Sequence, residues 1–129
     1  MRSTGEFRVT SWNEETVTEW EGGSRLTRAE IVQAFTGALE ATGDATLFMY
    51  YRDDGTASIA GFQCFDGRLG EHTGRFVARF VGAYDGADAT ASLTVVPGSG
   101  TGGFDGLAGE GTSVAGHEPP GSYEFDFEI

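Results

Sequence analysis

Four Asp-Gly pairs divide this chain into short segments of β-type sequence, and the spacing of these pairs constrains the fold more than any other feature. The pairs are Asp54-Gly55, Asp66-Gly67, Asp85-Gly86 and Asp105-Gly106. Asp-Gly is typical of type I′ turns, whose twist matches that of the two strands they join. The β-type runs are Phe7 to Thr10, Leu47 to Arg52, Ala57 to Asp66, Gly74 to Tyr84, Ala87 to Pro97 and Ser122 to Ile129. Short strands separated by turns predict a β-sandwich or a β-barrel.

Alternation within the runs predicts which side chains face the interior. The faces predicted to be internal carry Ile59, Gly61, Gln63 and Phe65 in one run, Phe76, Phe80 and Tyr84 in the next, and Tyr123, Phe125 and Phe127 in the last. A buried amide must be hydrogen-bonded, so Gln63 either binds a ligand or bonds a neighbouring side chain. Tyr51 shares a face with Leu47 and Met49, and its hydroxyl either faces a cavity or reaches solvent. Arg79, on the opposite face, is expected to pair with an acidic residue.

The segment Thr27 to Gly43 is locally ambiguous. Thr27 and Glu30 have the spacing of a helix capping box, and apolar residues recur every four positions. A glycine in its interior, Gly37, and an equally usable alternation of apolar residues favour a strand instead. Local propensity by itself predicts a helix here.

The glycine-rich stretch Val95 to Gly111 contains Gly98-x-Gly100-x-x-Gly103, the spacing of a dinucleotide-binding turn. Such a turn needs a helix after it, whose N-terminus meets the pyrophosphate. The residues after Gly103 are too rich in glycine to form one. We therefore interpret the stretch as a barrel corner and predict no nucleotide cofactor.

Composition narrows the possible partners. The chain has 129 residues, which predicts a single domain over residues 1–129. Its formal charge is −12, and all eight basic residues are Arg. Because such a surface repels phosphates and anionic lipids, nucleic acid and membrane partners are disfavoured. The opening residues lack the apolar stretch of a signal peptide, so we expect a cytoplasmic location. The single cysteine, Cys64, is expected to be a packed thiol.

Metal binding is not predicted. The two histidines, His72 and His117, are far apart in sequence and lie in turn-like surroundings, so they are expected to be solvated loop residues. Neither forms the closely spaced His pair typical of a metal site. No cofactor is therefore expected.

Several motifs together resemble the DUF3224 family of small uncharacterised bacterial proteins, over nearly the whole chain. They are Phe7-x-Val-Thr-Ser-Trp12, Leu26-Thr-Arg-Ala29, Arg52-x-Asp-Gly-Thr-Ala57, Gly67-Arg-Leu-Gly70 and Val96-Pro-Gly-Ser-Gly-Thr-Gly102. The resemblance implies an all-β fold, an eight-stranded antiparallel β-barrel similar to allene oxide cyclase, which can enclose an apolar cavity. It also implies that Thr27 to Gly43 is strand. In the family's pattern an acidic residue is usual at the position of Gln63 and a histidine at that of Phe80, so proton chemistry at this pair is in doubt here.

The leading functional hypothesis is a barrel that binds an apolar or amphipathic small molecule in its interior. The candidate ligand-binding residues are Tyr51, Gln63, Phe76, Phe80 and Tyr84. A residue of the first strand, Trp12 or Glu6, would join them only if its rim of the barrel is open.

Two alternatives remain open. The barrel could be a cyclase or isomerase that folds a reactive substrate and excludes water, with Glu6 or Glu40 as its carboxylate if either points inward. Alternatively, it is packed solid and has no ligand. Apolar residues on both faces of the run Ala57 to Phe65 favour a homo-oligomer in any case.

Overall fold

The computed structural model describes all residues, 1–129, and the chain forms one closed barrel of eight antiparallel strands. The strands are β1 (Arg2–Glu19), β2 (Arg25–Gly37), β3 (Leu39–Tyr51), β4 (Ala57–Leu69), β5 (His72–Tyr84), β6 (Ala89–Val95), β7 (Ala108–Ala115) and β8 (Gly121–Glu128). Each strand pairs with the next in sequence, and β8 pairs with β1. The predicted all-β, eight-stranded antiparallel barrel is confirmed. No helix in the structure is long and apolar enough to cross a membrane.

The locally ambiguous segment is strand, as the family resemblance implied, and the helix predicted from its local propensity was wrong. Thr27 to Phe35 lies in β2, which pairs with β1 on one side and β3 on the other. Thr27, Ala29, Ile31 and Phe35 are buried on the inner face. Two hydrogen-bonded neighbours outweigh a helix preference of a few tenths of a kcal/mol per residue. Gly37, with a φ of 97°, ends the strand at the turn into β3.

The prediction of type I′ turns at the Asp-Gly pairs was wrong. Type I′ needs positive φ at both central residues, and no residue other than glycine has positive φ in this chain. Asp66-Gly67 is not in a turn at all, because it lies inside β4. There Gly67 lets β3 approach closely, since an added Cβ would collide with the Glu40 carbonyl oxygen.

The glycine-rich stretch is a barrel corner, as predicted. It leads from β6 through a short 3-10 helix, Gly102–Phe104, to β7. Phe104 is buried at the barrel end, and its ring meets that of Phe76 edge-on at 5.2 Å. An added Cβ at Gly103 would lie 2.6 Å from the Thr73 backbone nitrogen, so the glycine permits close packing against β5. The connection thus closes one end of the barrel.

The interior divides into two clusters along the barrel axis. The closed half is an aromatic-rich core of fifteen buried residues: Phe7, Phe35, Leu39, Phe65, Leu69, Phe76, Ala78, Ala91, Leu93, Val95, Phe104, Leu107, Tyr123, Phe125 and Phe127. The open half contains six smaller or aliphatic residues: Ala29, Ile31, Ala45, Leu47, Met49 and Ile59. Phe80 packs against both clusters.

Two predictions about the outer face were wrong. Arg79 forms no ion pair with a carboxylate. Cys64, expected to be packed, is exposed. Both residues lie on the face of β4 and β5 opposite the buried Gln63 and Ala78. The apolar run that contains Cys64 covers both faces of its strand, so its position in that run could not assign the thiol to the interior.

Candidate functional site: the cavity of the open half

The hydrogen bonding that closes the barrel ends part-way along β1. β8 pairs with Arg2 to Phe7 of β1, and the last pair joins Phe7 to Gly121. Beyond Phe7, β1 continues to Glu19 and pairs with β2 alone. A seam therefore runs along this side of the barrel, between the second part of β1 and the loop that precedes β8.

An apolar cavity of about 110 Å³ lies at this seam. Eleven of its fourteen lining residues are hydrophobic. The lining consists of Phe7, Val9, Trp12, Ile31, Gln33, Leu47, Met49, Ile59, Phe80, Ala89, Thr90, Ala91, Ser113 and Ala115. No acidic or basic side chain and no histidine is among them, so the wall offers only amide and hydroxyl groups as polar partners.

The cavity communicates with solvent through the seam. Val9 and Trp12 line it and yet are 46% and 50% exposed. A surface groove of about 320 Å³ shares Phe7, Val9 and Ala115 with the cavity and continues along the loop that contains His117. The cavity therefore borders the surface where the pairing of β8 with β1 has ended.

The buried amide of Gln63 is satisfied by a neighbouring side chain. Its Nε2 donates a hydrogen bond to Oε1 of Gln33 at 2.7 Å, and Gln63 is only 1% exposed. Gly43 makes room for this amide, since an added Cβ would lie 2.7 Å from Gln63 Nε2. Gln33 in turn lines the cavity. The pair places one polar group on an otherwise apolar wall.

A polar cluster lies beside the cavity and is centred on Glu14. Oε2 of Glu14 accepts hydrogen bonds from the Thr27 hydroxyl at 2.6 Å and the Tyr51 hydroxyl at 2.8 Å. Oε1 accepts one from the Trp12 indole nitrogen at 3.0 Å. Trp12 also lines the cavity, and the Tyr51 oxygen lies 3.4 Å from the sulfur of another lining residue, Met49. The cluster thus joins β1, β2 and β3 at the mouth of the cavity.

The cluster holds Glu14 as an anion. Burial by itself would raise the pKa of Glu14, but the hydrogen bonds from Thr27, Tyr51 and Trp12, with the positive charge of Arg25, lower it below its ordinary value of 4.5. Burial and the adjacent Glu14 carboxylate raise the pKa of Tyr51 to about 12. Tyr51 therefore remains a hydrogen-bond donor at neutral pH, and Glu14 remains an acceptor.

The five residues predicted from the sequence occupy different places. Phe80 lines the cavity, and Gln63 lies one hydrogen bond behind its wall. Tyr51 lies at the mouth, in the Glu14 cluster. Phe76 belongs to the closed half, where its ring stacks on Phe65 at 4.8 Å. Tyr84 is half-buried near the barrel end, and its hydroxyl donates to the Gly86 carbonyl oxygen at 3.0 Å.

Sequence reasoning missed Glu14 and Gln33. β1 changes register between Val9 and Ser11, and a β-bulge of this kind shifts the alternation by one residue. Counting in twos from Phe7 places Ser11 and Asn13 on the inner face, whereas the pairs Trp12–Ile31 and Glu14–Ala29 place Trp12 and Glu14 on that face, although both side chains are exposed. The two glutamates considered instead, Glu6 and Glu40, are exposed.

The histidines form no site. Nδ1 of His72 lies 3.1 Å from the Gly103 carbonyl oxygen, and Nε2 of His117 lies 3.4 Å from that of Gly86. No group of three or more His, Cys, Asp or Glu side chains is close enough to hold a metal ion.

Comparison with known proteins agrees with this architecture. Residues 3–127 match the family described as "Protein of unknown function (DUF3224)". The chain belongs to the DUF3224 family. A crystal structure of a DUF3224 protein of unknown function from Shewanella oneidensis MR-1 is similar to it, with 27% identity and a TM-score of 0.85. The similarity covers 100% of this chain and 97% of that one. No curated protein matches the sequence.

Membership in DUF3224 directs attention to two inner-face positions. The family resemblance implied an acidic residue at the position of Gln63 and a histidine at that of Phe80, and these two residues lie on the adjacent strands β4 and β5. Gln63 pairs with Ala78, and Phe80 pairs with Gly61, so the two are diagonal neighbours. In this DUF3224 chain neither side chain can transfer a proton at neutral pH.

Proposed function

We propose that this DUF3224 protein binds a small apolar or amphipathic molecule in the cavity of its open half. The observation that carries the proposal is the cavity itself, which is apolar, borders solvent and is lined by residues of seven strands, β1 to β7. Engineered apolar cavities of about 150 Å³ bind benzene and stay free of water. A cavity of about 110 Å³ suits a short alkyl chain or a similarly compact apolar group.

The lining favours binding over catalysis by proton transfer. None of the fourteen cavity residues is acidic, basic or histidine, and general acid–base catalysis needs a titratable group within hydrogen-bond reach. Glu14, at the mouth, is a weak base because its pKa is lowered. A cyclase or isomerase acting here would have to rely on substrate shape alone. The cavity also argues against the alternative of a solid core.

A cavity-filling substitution tests the proposal. Ala91→Leu extends a side chain from the cavity wall, while Ala83→Leu adds the same atoms at an exposed position of β5. Fluorescence of Trp12, recorded in a Trp20→Phe background, reports titration with 1-hexanol. We expect saturable quenching in the parent and in Ala83→Leu, and its loss in Ala91→Leu. Equal binding by all three variants, or none by the parent, would refute the proposal.

Native and denaturing mass spectrometry of protein purified from its own host addresses the natural ligand. A small-molecule mass that is present in the native spectrum and absent after denaturation identifies the ligand by its formula. For the proposal to hold, the apolar part of that ligand must be small enough to fit a cavity of about 110 Å³.

We also propose that the protein forms a homo-oligomer through the outer face of β3 to β5. Phe48, Phe62 and Val81 are 47%, 53% and 46% exposed. They surround Ala60, which pairs with both Phe48 and Val81. Adjacent exposed apolar side chains of this kind mark association surfaces. Phe62→Glu should lower the mass measured by light scattering, whereas an unchanged mass would place any interface elsewhere.

A further inference from the structure

We infer that the ligand of the cavity carries a protonated amine at its polar end, and that this amine binds the Glu14 carboxylate beside Trp12 and Tyr51. The inference rests on the proposed function, because it names the chemistry of the group that lies at the mouth when the apolar part fills the cavity. It assigns a role to a polar cluster that the apolar lining leaves unexplained.

The first argument is that Glu14 is an anion with no cation at ion-pair distance, although the charge of Arg25 acts on it from farther away. Three neutral groups donate to it, on Thr27, Tyr51 and Trp12, but it takes part in none of the ion pairs of the molecule. The nearby Arg25 instead places its guanidinium 4.7 Å from the centre of the Tyr51 ring. A carboxylate has about four acceptor sites. Oε1, with a single donor, therefore has capacity for a further N–H group.

The second argument is the position of this free capacity. Trp12 donates to Oε1 and also lines the cavity, so the carboxylate lies one hydrogen bond from a lining residue, although Glu14 itself is exposed and not part of the lining. Aromatic faces attract cations, indole most strongly. Trp12 and Tyr51 direct their N–H and O–H groups, not their ring faces, at Glu14, and one face of Tyr51 already carries the Arg25 guanidinium. An ammonium group here would therefore gain a charge-assisted hydrogen bond to the Glu14 carboxylate, not a contact with the rings.

The third argument is the charge of the molecule. At a net charge of −12, the field around the protein attracts cations and repels anions. A fatty acid or another apolar carboxylate would bring its negative charge to Glu14. The mouth therefore selects an amine over a carboxylate that has the same apolar part.

Three probes with one alkyl chain test the inference: hexylamine, 1-hexanol and hexanoate. Quenching of Trp12 fluorescence in the Trp20→Phe background gives each dissociation constant. Trp20 packs edge-on against Tyr50, 6.0 Å between ring centres, and does not line the cavity. We expect hexylamine to bind about tenfold more tightly than hexanol, the gain of one charged hydrogen bond, and hexanoate to bind most weakly.

Glu14→Gln keeps the shape of the side chain and removes its charge. The variant should lose the tenfold preference for hexylamine and keep its affinity for hexanol. Glu15→Gln is the matched control, because Glu15 is exposed, adjacent and free of side-chain hydrogen bonds, and it should preserve the preference. If Glu14→Gln does not fold, the order of the three dissociation constants on the parent protein tests the inference.

The outcomes separate the two proposals. If hexanol binds and hexylamine binds no more tightly, or if hexanoate matches hexylamine, the inference about the amine is wrong and the binding function stands. A preference for hexylamine that survives in Glu14→Gln also overturns it. If no probe binds the parent, the proposed function fails and the inference fails with it.

Discussion

The two halves of the barrel share one set of strands but are filled in opposite ways. In the closed half, aromatic rings contact each other in succession: Phe65 and Phe76 stack at 4.8 Å, as do Phe125 and Phe127. In the open half, the same inner face carries alanine and aliphatic side chains, and a cavity remains. The strand pairing between β8 and β1 ends at Phe7, near this boundary.

This difference shows how side-chain volume decides what an eight-stranded barrel can do. A barrel of this size is just wide enough to be filled by side chains or to hold one small ligand. Large rings in one half take up that space and stabilise the fold. Small residues in the other half leave it free, beside a seam that opens to solvent. The closed half thus stabilises the fold, and the binding that we propose uses the open half.

The largest expected effect is the loss of an aromatic ring from the closed half. Phe76 is 1% exposed and touches the rings of Phe65, Phe104 and Phe127. Phe76→Ala should lower the free energy of unfolding by about 3–5 kcal/mol, measured by urea denaturation. Trp20→Ala, at a half-exposed position outside the proposed oligomer face, should change it by less than about 1 kcal/mol. Equal losses would remove the distinction between core and surface rings.

A smaller loss is expected at the boundary of the two halves. Phe80 is partly buried, packs against both clusters and borders the cavity. Phe80→Ala should cost about 2 kcal/mol, below the range for fully buried rings. The substitution should also enlarge the cavity. The variant should therefore bind a bulkier alcohol, such as cyclohexylmethanol, more tightly than the parent does. A loss as large as that of Phe76→Ala would mean that the cavity edge is packed like the closed half.

The next smaller effect on stability is expected at the buried amide pair of Gln33 and Gln63. Gln63→Leu leaves the Gln33 carbonyl oxygen without its donor and should cost about 1–2 kcal/mol. The double variant Gln33→Leu, Gln63→Leu should recover most of this loss, since replacement of both partners by apolar groups is nearly neutral. Urea denaturation of the two variants provides the measurement. A double variant less stable than the single one would show that the amides stabilise the fold through other contacts.

The smallest expected effect is the pH dependence at the mouth of the open half. The pKa of Glu14 is lower in the folded protein than its ordinary value of 4.5. Its ionisation therefore stabilises the fold fully above about pH 4.5, and this contribution is lost as the pH falls through the lower, folded pKa. The stability difference between the parent and Glu14→Gln should be constant from neutral pH to about pH 5 and change below it. A difference that stays constant down to pH 3 would contradict the lowered pKa.

The sequence allowed the strands of the barrel to be predicted where alternation is strict. Tyr123, Phe125 and Phe127 face the interior as predicted and are at most 4% exposed. The prediction failed where alternation is interrupted. In β1 the register change between Val9 and Ser11 placed Trp12 and Glu14 on the same face as the buried Ile31 and Ala29, and no pattern of residue types marks that position. β7 was missed because its glycines and small residues resemble a loop.

Local pattern by itself therefore determined that the chain is all-β and which face of each regular strand is apolar, because side chains alternate with a period of two residues whatever the strand pairs with. Its motifs determined the family and, through it, the closure of eight strands. Only the tertiary structure decided where the interior is full and where it is empty, since that depends on which side chains from distant strands meet at one level of the barrel. It also decided that Glu14, Thr27 and Tyr51 meet at the mouth of the cavity, because strand register places residues far apart in sequence beside each other.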